Sequence, residues 1–137
     1  MTCLVDASGL FALADSSDDA HQAVRQFISG ASEGLVVLEP VVTEADYLVA
    51  NRLGVHVELA MLKAIADGAF RLESLTADDL ERSLELIAQY VDSNIGFVDA
   101  SIVAVTERLR ITRILTLDHR HFRMFRPRHC EAFDLVP

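Results

Sequence analysis

The chain has 137 residues, 51% of them hydrophobic, and a formal net charge of −9. That length suits a single domain over residues 1–137, large enough to bury a core without disulfides; two cysteines, Cys3 and Cys130, cannot make a disulfide framework. No run approaches the roughly 20 apolar residues of a membrane span. Met1 leads straight into an apolar stretch with no basic n-region, so a secretory signal is set aside and the cytoplasm is the expected location.

In chain order, Thr2–Val5 is a short apolar run bounded by Asp6, as for a strand buried on both faces. Ala7–Leu13 reads as a short helix with Ser8 near its start. Asp18 or Ser17 is expected to cap a second helix reaching about Ser29, followed by a loop over Gly30–Gly34 and a strand over Leu35–Leu38. Pro40 suits the first turn of a third helix to about Leu53. Gly54 breaks it, and a fourth helix runs to Asp67 and stops at Gly68. Phe70–Leu75 is the third expected strand; Thr76 caps a fifth helix to about Tyr90, and Ser93–Phe97 is a loop. A sixth helix opens at Asp99, a strand follows over Arg113–Leu117, then a helical segment near His121 and a last strand near Ala132–Val136. Strands alternating with helices predict a three-layer α/β/α sandwich around a mostly parallel, roughly five-stranded sheet.

In such a sheet the carboxyl ends of the strands and the amino ends of the following helices share one edge, where ligands bind. Asp6 ends the first strand and Asp118 follows the strand Arg113–Leu117. Asp99 opens a helix, and Glu44 lies about one turn into the helix that Pro40 begins. Four acids therefore project to one rim by topology alone. Glu44 shares a helix face with Val41 and Leu48, and Asp99 with Ile102 and Val103, where an apolar residue is expected. A carboxylate facing a core is costly unless paired, hydrogen-bonded or metal-bound, and clustered carboxylates repel unless a cation compensates. Oxygen ligands of this kind suit Mg²⁺ or Mn²⁺. Each acid also has a plain structural alternative: Asp6 or Asp99 as a helix cap, Asp118 as a turn residue.

The segments V-D-A-S at Val5–Ser8, P-V-V-T-E at Pro40–Glu44, G-F-V-D-A-S-I-V-A at Gly96–Ala104 and I-L-T-L-D-H-R-H-F at Ile114–Phe122 together resemble a PIN domain. Within that family they are most similar to the VapC-type toxins of bacterial toxin–antitoxin pairs, and the resemblance covers almost the whole chain. It implies a Mg²⁺- or Mn²⁺-dependent endoribonuclease that cleaves RNA to 5′-phosphate and 3′-hydroxyl ends. It implies Asp6, Glu44 and Asp99 as core catalytic acids; one metal is expected to be held mainly by Asp6 and Asp99, with a second near Glu44 or Asp118 if substrate recruits it. Asp118 is the more variable fourth acid, and Ser8 and Thr116 are supporting hydroxyls. It also implies a homodimer and a cognate VapB-type antitoxin protein. Asp92, in the loop before Asp99, is read chiefly as a loop or cap residue.

Residues 101–137 carry a net +3 and residues 1–100 a net −12, the basic share being Arg108, Arg110, Arg113, Arg120, Arg123, Arg126 and Arg128. Phosphates, an acidic partner or simple charge balance could each account for that tail. Arg120 and Arg123 are the RNA-contact candidates. His119 and His121 flank Asp118, but water activated by a metal needs no histidine, so they are read as part of a phosphate-contacting rim. Phe122 and Phe125 are expected to pack onto the sheet. A dehalogenase-type phosphatase needs an acid where Ser8 stands, and a receiver domain needs a lysine at a late strand end, whereas the chain's one lysine is Lys63. A non-catalytic interaction module of the same fold is the alternative function. The apolar helices of Pro40–Asp67 are expected to supply a homodimer or antitoxin interface.

Overall fold

Strands buried on both faces must be apolar throughout. Cys3–Val5, Val36–Leu38 and Ile114–Leu115 meet that demand, each residue being at most 1% exposed. In the computed structural model, which describes residues 1–32 and 34–137, they form the middle of a five-stranded sheet. Its strands are β1 (Thr2–Val5), β2 (Gly34–Leu38), β3 (Arg71–Glu73), β4 (Arg113–Leu115) and β5 (Asp134–Val136). Their order is β3-β2-β1-β4-β5 and every neighbouring pair is parallel.

The helices are α1 (Ala7–Ala14), α2 (His21–Gly30), α3 (Glu39–Leu53), α4 (Val55–Ala66), α5 (Ala77–Gln89), α6 (Phe97–Leu109) and α7 (His119–Met124), with a 3₁₀ turn at Val91–Ser93. The chain moves outward from β1 to β2 to β3, then jumps back across β1 to β4 and β5. Right-handed crossovers therefore put α1–α4 on one face and α5–α7 on the other. The packing agrees: α1 meets α2 and α3, α3 meets α4, and α5 lies along α6. The reversal of direction falls between β1 and β4, so a ligand crevice belongs at their carboxyl ends.

Two ion pairs clamp α5 to α6. Arg82 meets Glu107 at 2.7 Å, and Arg108 meets the buried Asp79 at 2.9 Å. Arg113 pairs with Asp134 and Arg128 with Glu85. Three arginines of the basic tail, Arg108, Arg113 and Arg128, are thus engaged by carboxylates of the chain itself. Phe122 and Phe125 are each 1% exposed and pack in the core, as expected.

The boundaries differ from the sequence reading in places with local causes. The Asp18 carboxylate accepts from the Ala20 amide at 2.8 Å, closing a turn before the helix, so α2 starts at His21 with Ala20 as an N-cap that makes no side-chain bond. β3 spans three residues because Phe70 turns into the core and Ser74 bonds the Glu39 carboxylate, leaving Thr76 and Asp79 to form the capping box of α5. Gly54 ends α3 and begins α4 at φ 90°, a conformation that disfavours side chains. Glu33, in the expected Gly30–Gly34 loop, lies outside the described residues. Among the described residues no helix is long and apolar enough to cross a membrane.

Candidate active site

Asp6 is the first residue past β1, and it is only 5% exposed. One carboxylate oxygen caps α1 by accepting from the Ala7 amide at 2.7 Å. The other accepts from the Thr116 hydroxyl at 2.8 Å and from Ser8 at 3.2 Å. Thr116, the first residue past β4, in turn accepts from the Asp118 amide at 2.9 Å, and Ser8 accepts from the Leu117 amide at 3.0 Å. The two strand ends on either side of the switch point are therefore cross-linked through side chains. Capping and site-building are one act here: the bond that starts α1 also fixes the Asp6 carboxylate.

Asp99 stands in the first turn of α6, whose N-cap is Gly96 and makes no side-chain bond. The helix thus starts two residues before the expected opening, and Asp99 turns inward from its third position. Glu44 projects from α3. The residues that α3 buries are Val41, Ala45 and Val49. Glu44 therefore stands one position beside the apolar stripe, exposed at the rim, and does not face the core as its spacing from Val41 and Leu48 suggested. Leu48 is half-buried and sits with it at the pocket wall.

Asp6, Glu44, Asp99 and Asp118 line one pocket, with Ser8 and His121 beside them and Leu48, Phe97 and Val98 as an apolar rim. Among the described residues that line it there is no lysine or arginine. The electrostatics follow from that. Burial pushes the Asp6 carboxyl above its ordinary range despite the hydrogen bonds it accepts, and Asp118 adds to the rise. Burial and then Asp6 raise Glu44. Asp99 is pushed up to about 6, first by burial and then by the Asp6 and Asp118 charges, with His121 pulling the other way. Asp6, Asp118 and Glu44 thus make neighbouring carboxyls harder to ionise, a perturbation that clusters at functional sites.

The sequence reading placed His121 at the rim as a phosphate contact. Its Nδ1 lies 2.6 Å from Asp118 Oδ2, while the Asp118 Oδ1 caps α7 by accepting the His121 amide at 3.2 Å. The readable signal was an acid at an N-cap with a histidine three positions on. His119 turns away to the Thr116 carbonyl at 3.1 Å. Asp92 lies exposed in the 3₁₀ turn and does not line the pocket. Arg120 and Arg123 are exposed on α7.

A sequence model of the PIN domain matches residues 3–126. The chain belongs to the PIN domain family. It is 40% identical over 134 residues to ribonuclease VapC26 of Mycobacterium tuberculosis, covering 98% of this chain and 99% of that relative. Among solved structures it resembles VapC20 of Mycobacterium tuberculosis, described as a sarcin–ricin-loop-cleaving toxin. The TM-score is 0.80 at 24% identity, over 85% of this chain and 90% of that one. A toxin–antitoxin complex from Klebsiella pneumoniae matches with a TM-score of 0.72 at 18% identity, over 98% of this chain and 96% of that one. In this PIN-domain chain the carboxylate pocket sits at the switch point the topology specifies.

Proposed function

We propose that this protein is a divalent-metal-dependent endoribonuclease of the VapC type, the toxin of a toxin–antitoxin pair. The observation that carries this reading is the convergence of Asp6, Glu44, Asp99 and Asp118 in one pocket with no lysine or arginine among its described lining residues. The 40% identical relative, itself named a ribonuclease, supports RNA as the substrate.

The donors fit Mg²⁺ or Mn²⁺, which take carboxylate oxygens and keep several waters. Asp6 and Asp99 would be the main ligands, with Glu44 and Asp118 completing the shell. When bound, the ion supplies Lewis-acid polarisation of the phosphate and a lowered pKa for water. The chain does the rest. Ser8 and Thr116 hold Asp6 in one orientation, so its charge needs no reorganisation when RNA arrives. Glu44, open to solvent at the rim, takes the proton of the water that attacks phosphorus in line. The 3′-oxygen leaves and is protonated from solvent, giving 5′-phosphate and 3′-hydroxyl ends. Arg120 and Arg123 contact flanking phosphates.

A VapB-type antitoxin would hold the enzyme inactive, and a homodimer is the working assembly. The apolar groove between α1 and α4, lined by Leu10, Leu13, Val57, Met61 and Phe70, and the exposed Tyr47, Val55 and Leu59 of α3 and α4 supply the surface for such contacts.

The test is purified protein with a panel of cellular RNAs, in Mg²⁺ or Mn²⁺ and then with chelator. Cleavage should require the ion, yield the ends given above, and vanish in Asp6→Asn. Cleavage that survives chelation, or that Asp6→Asn retains, contradicts the reading.

A further inference from the structure

His121 is where this site departs from an all-carboxylate pocket. Asp118 caps α7, and the first turn of that helix brings the His121 ring back over the residue that starts it. One ligand atom each from Asp99, Asp118 and His121 lies within 4.8 Å of the other two. The ring does not serve the core, since its side chain is 39% exposed. His119, two residues earlier, is tied to a backbone carbonyl and stays outside the group.

We infer that His121 is a direct nitrogen ligand of the cation, alongside Asp99 and Asp118, and that it biases the site toward Mn²⁺ over Mg²⁺. The inference rests on the metal-dependent reading above. Mg²⁺ demands hard oxygen donors and near-ideal octahedral geometry, whereas imidazole suits the later divalent ions. In the metal-free chain a hydrogen bond holds the His121 ring at 2.6 Å from the Asp118 carboxylate, and a cation entering the group would take the place of that proton between the two donors. If the ring keeps its N–H on Asp118 it only orients the carboxylate. The two arrangements differ in whether the ring nitrogen bonds the ion, and a spectrum can read that.

The experiment is pulsed electron paramagnetic resonance of the full chain loaded with Mn²⁺ alone, with Mn²⁺ and Mg²⁺ affinities measured by calorimetry. Wild type and His119→Ala should show hyperfine coupling from an imidazole nitrogen. His121→Ala should lose it, with Mn²⁺ affinity falling roughly 10–100-fold and Mg²⁺ affinity much less. Mn²⁺ bound without imidazole coupling in the wild type would overturn the inference while leaving a metal-dependent nuclease intact; so would coupling that persists in His121→Ala. A wild-type chain that binds no Mn²⁺ would overturn both. The wild-type spectrum decides the matter even where a variant folds poorly.

Discussion

The Thr116 hydroxyl donates to Asp6 at 2.8 Å and accepts from the Asp118 amide at 2.9 Å, so one small side chain registers two acids from opposite sides of the switch point. Thr116 is fully buried. Thr116→Val keeps its shape and removes both bonds. Activity should fall about 10–100-fold, as for groups that orient ligands, and stability by about 1–3 kcal/mol because a desolvated carboxylate and an amide lose partners. Thr116→Ser should recover most of both. Cleavage rates and urea unfolding of the two variants check this.

Asp99 shows function set against stability. Its charge is opposed by burial and by its neighbours, so Asp99→Asn should cost activity by more than the roughly 10–100-fold typical of outer partners. The same substitution should leave the metal-free protein as stable as wild type or more so. Scanning fluorimetry in chelator, beside the cleavage assay, reads both. A metal-free Asp99→Asn that melts well below wild type at pH 7.5 contradicts the account.

The pH dependence has a definite sign. The folded protein holds the Asp99 proton up to about pH 6, whereas the unfolded chain releases it near 3.8. Its contribution to stability is therefore fully present below pH 3.8 and lost as pH rises through about 6. Metal-free wild type should lose melting temperature relative to Asp99→Asn across that window, by roughly 2–6 °C. Divalent ion should restore it, with a larger shift at pH 7.5 than at pH 5, and binding near pH 6 should release protons. Equal shifts at the two pH values would refute the coupling.

Gly9 lies in α1 one turn beyond Asp6, against β4. A Cβ there would overlap the buried Leu115 side chain and come within 3.2 Å of the Leu115 carbonyl. Gly9→Ala should push α1 off the strand and cost about 1–3 kcal/mol from overpacking, partly offset by the helix preference of alanine, about 1 kcal/mol. It should also lower cleavage, since the Ser8 and Asp6 bonds to Thr116 stretch. Thermal melts and cleavage rates test this.

Arg108→Ala should separate fold from site. It removes the ion-pair partner of Asp79, which is 3% exposed and keeps the Thr76 amide bond, and leaving that carboxylate short of a partner costs about 1–3 kcal/mol. At temperatures where the variant stays folded, its Mn²⁺ affinity should match wild type within experimental error.

The parts of this architecture that were readable are those that local chemistry dictates. Apolar runs closing on Asp6 and just before Asp118 name strand ends, and strand ends of a parallel sheet share an edge, so the sequence alone places these acids together. What could not be read depends on tertiary neighbours. Whether Glu44 faces the core or the rim differs by one position around α3, and packing against α1 chooses Val41, Ala45 and Val49 instead. The pairing of Arg108, Arg113 and Arg128 with acids 21 to 43 positions away follows from how α5, α6 and the last strand pack. His121 was visible beside Asp118, but which of the two flanking histidines returns to that carboxylate was not, because it is the Asp118 cap of a six-residue helix that turns the His121 ring back.

The central claim is that four carboxylates from distant parts of the chain hold one divalent ion. Anomalous diffraction from crystals soaked in Mn²⁺ tests it most directly. The account predicts a peak at bonding distance from Asp6 and Asp99, within reach of Glu44 and Asp118, and absent in Asp99→Asn. Full Mn²⁺ loading with no peak in that pocket would contradict it.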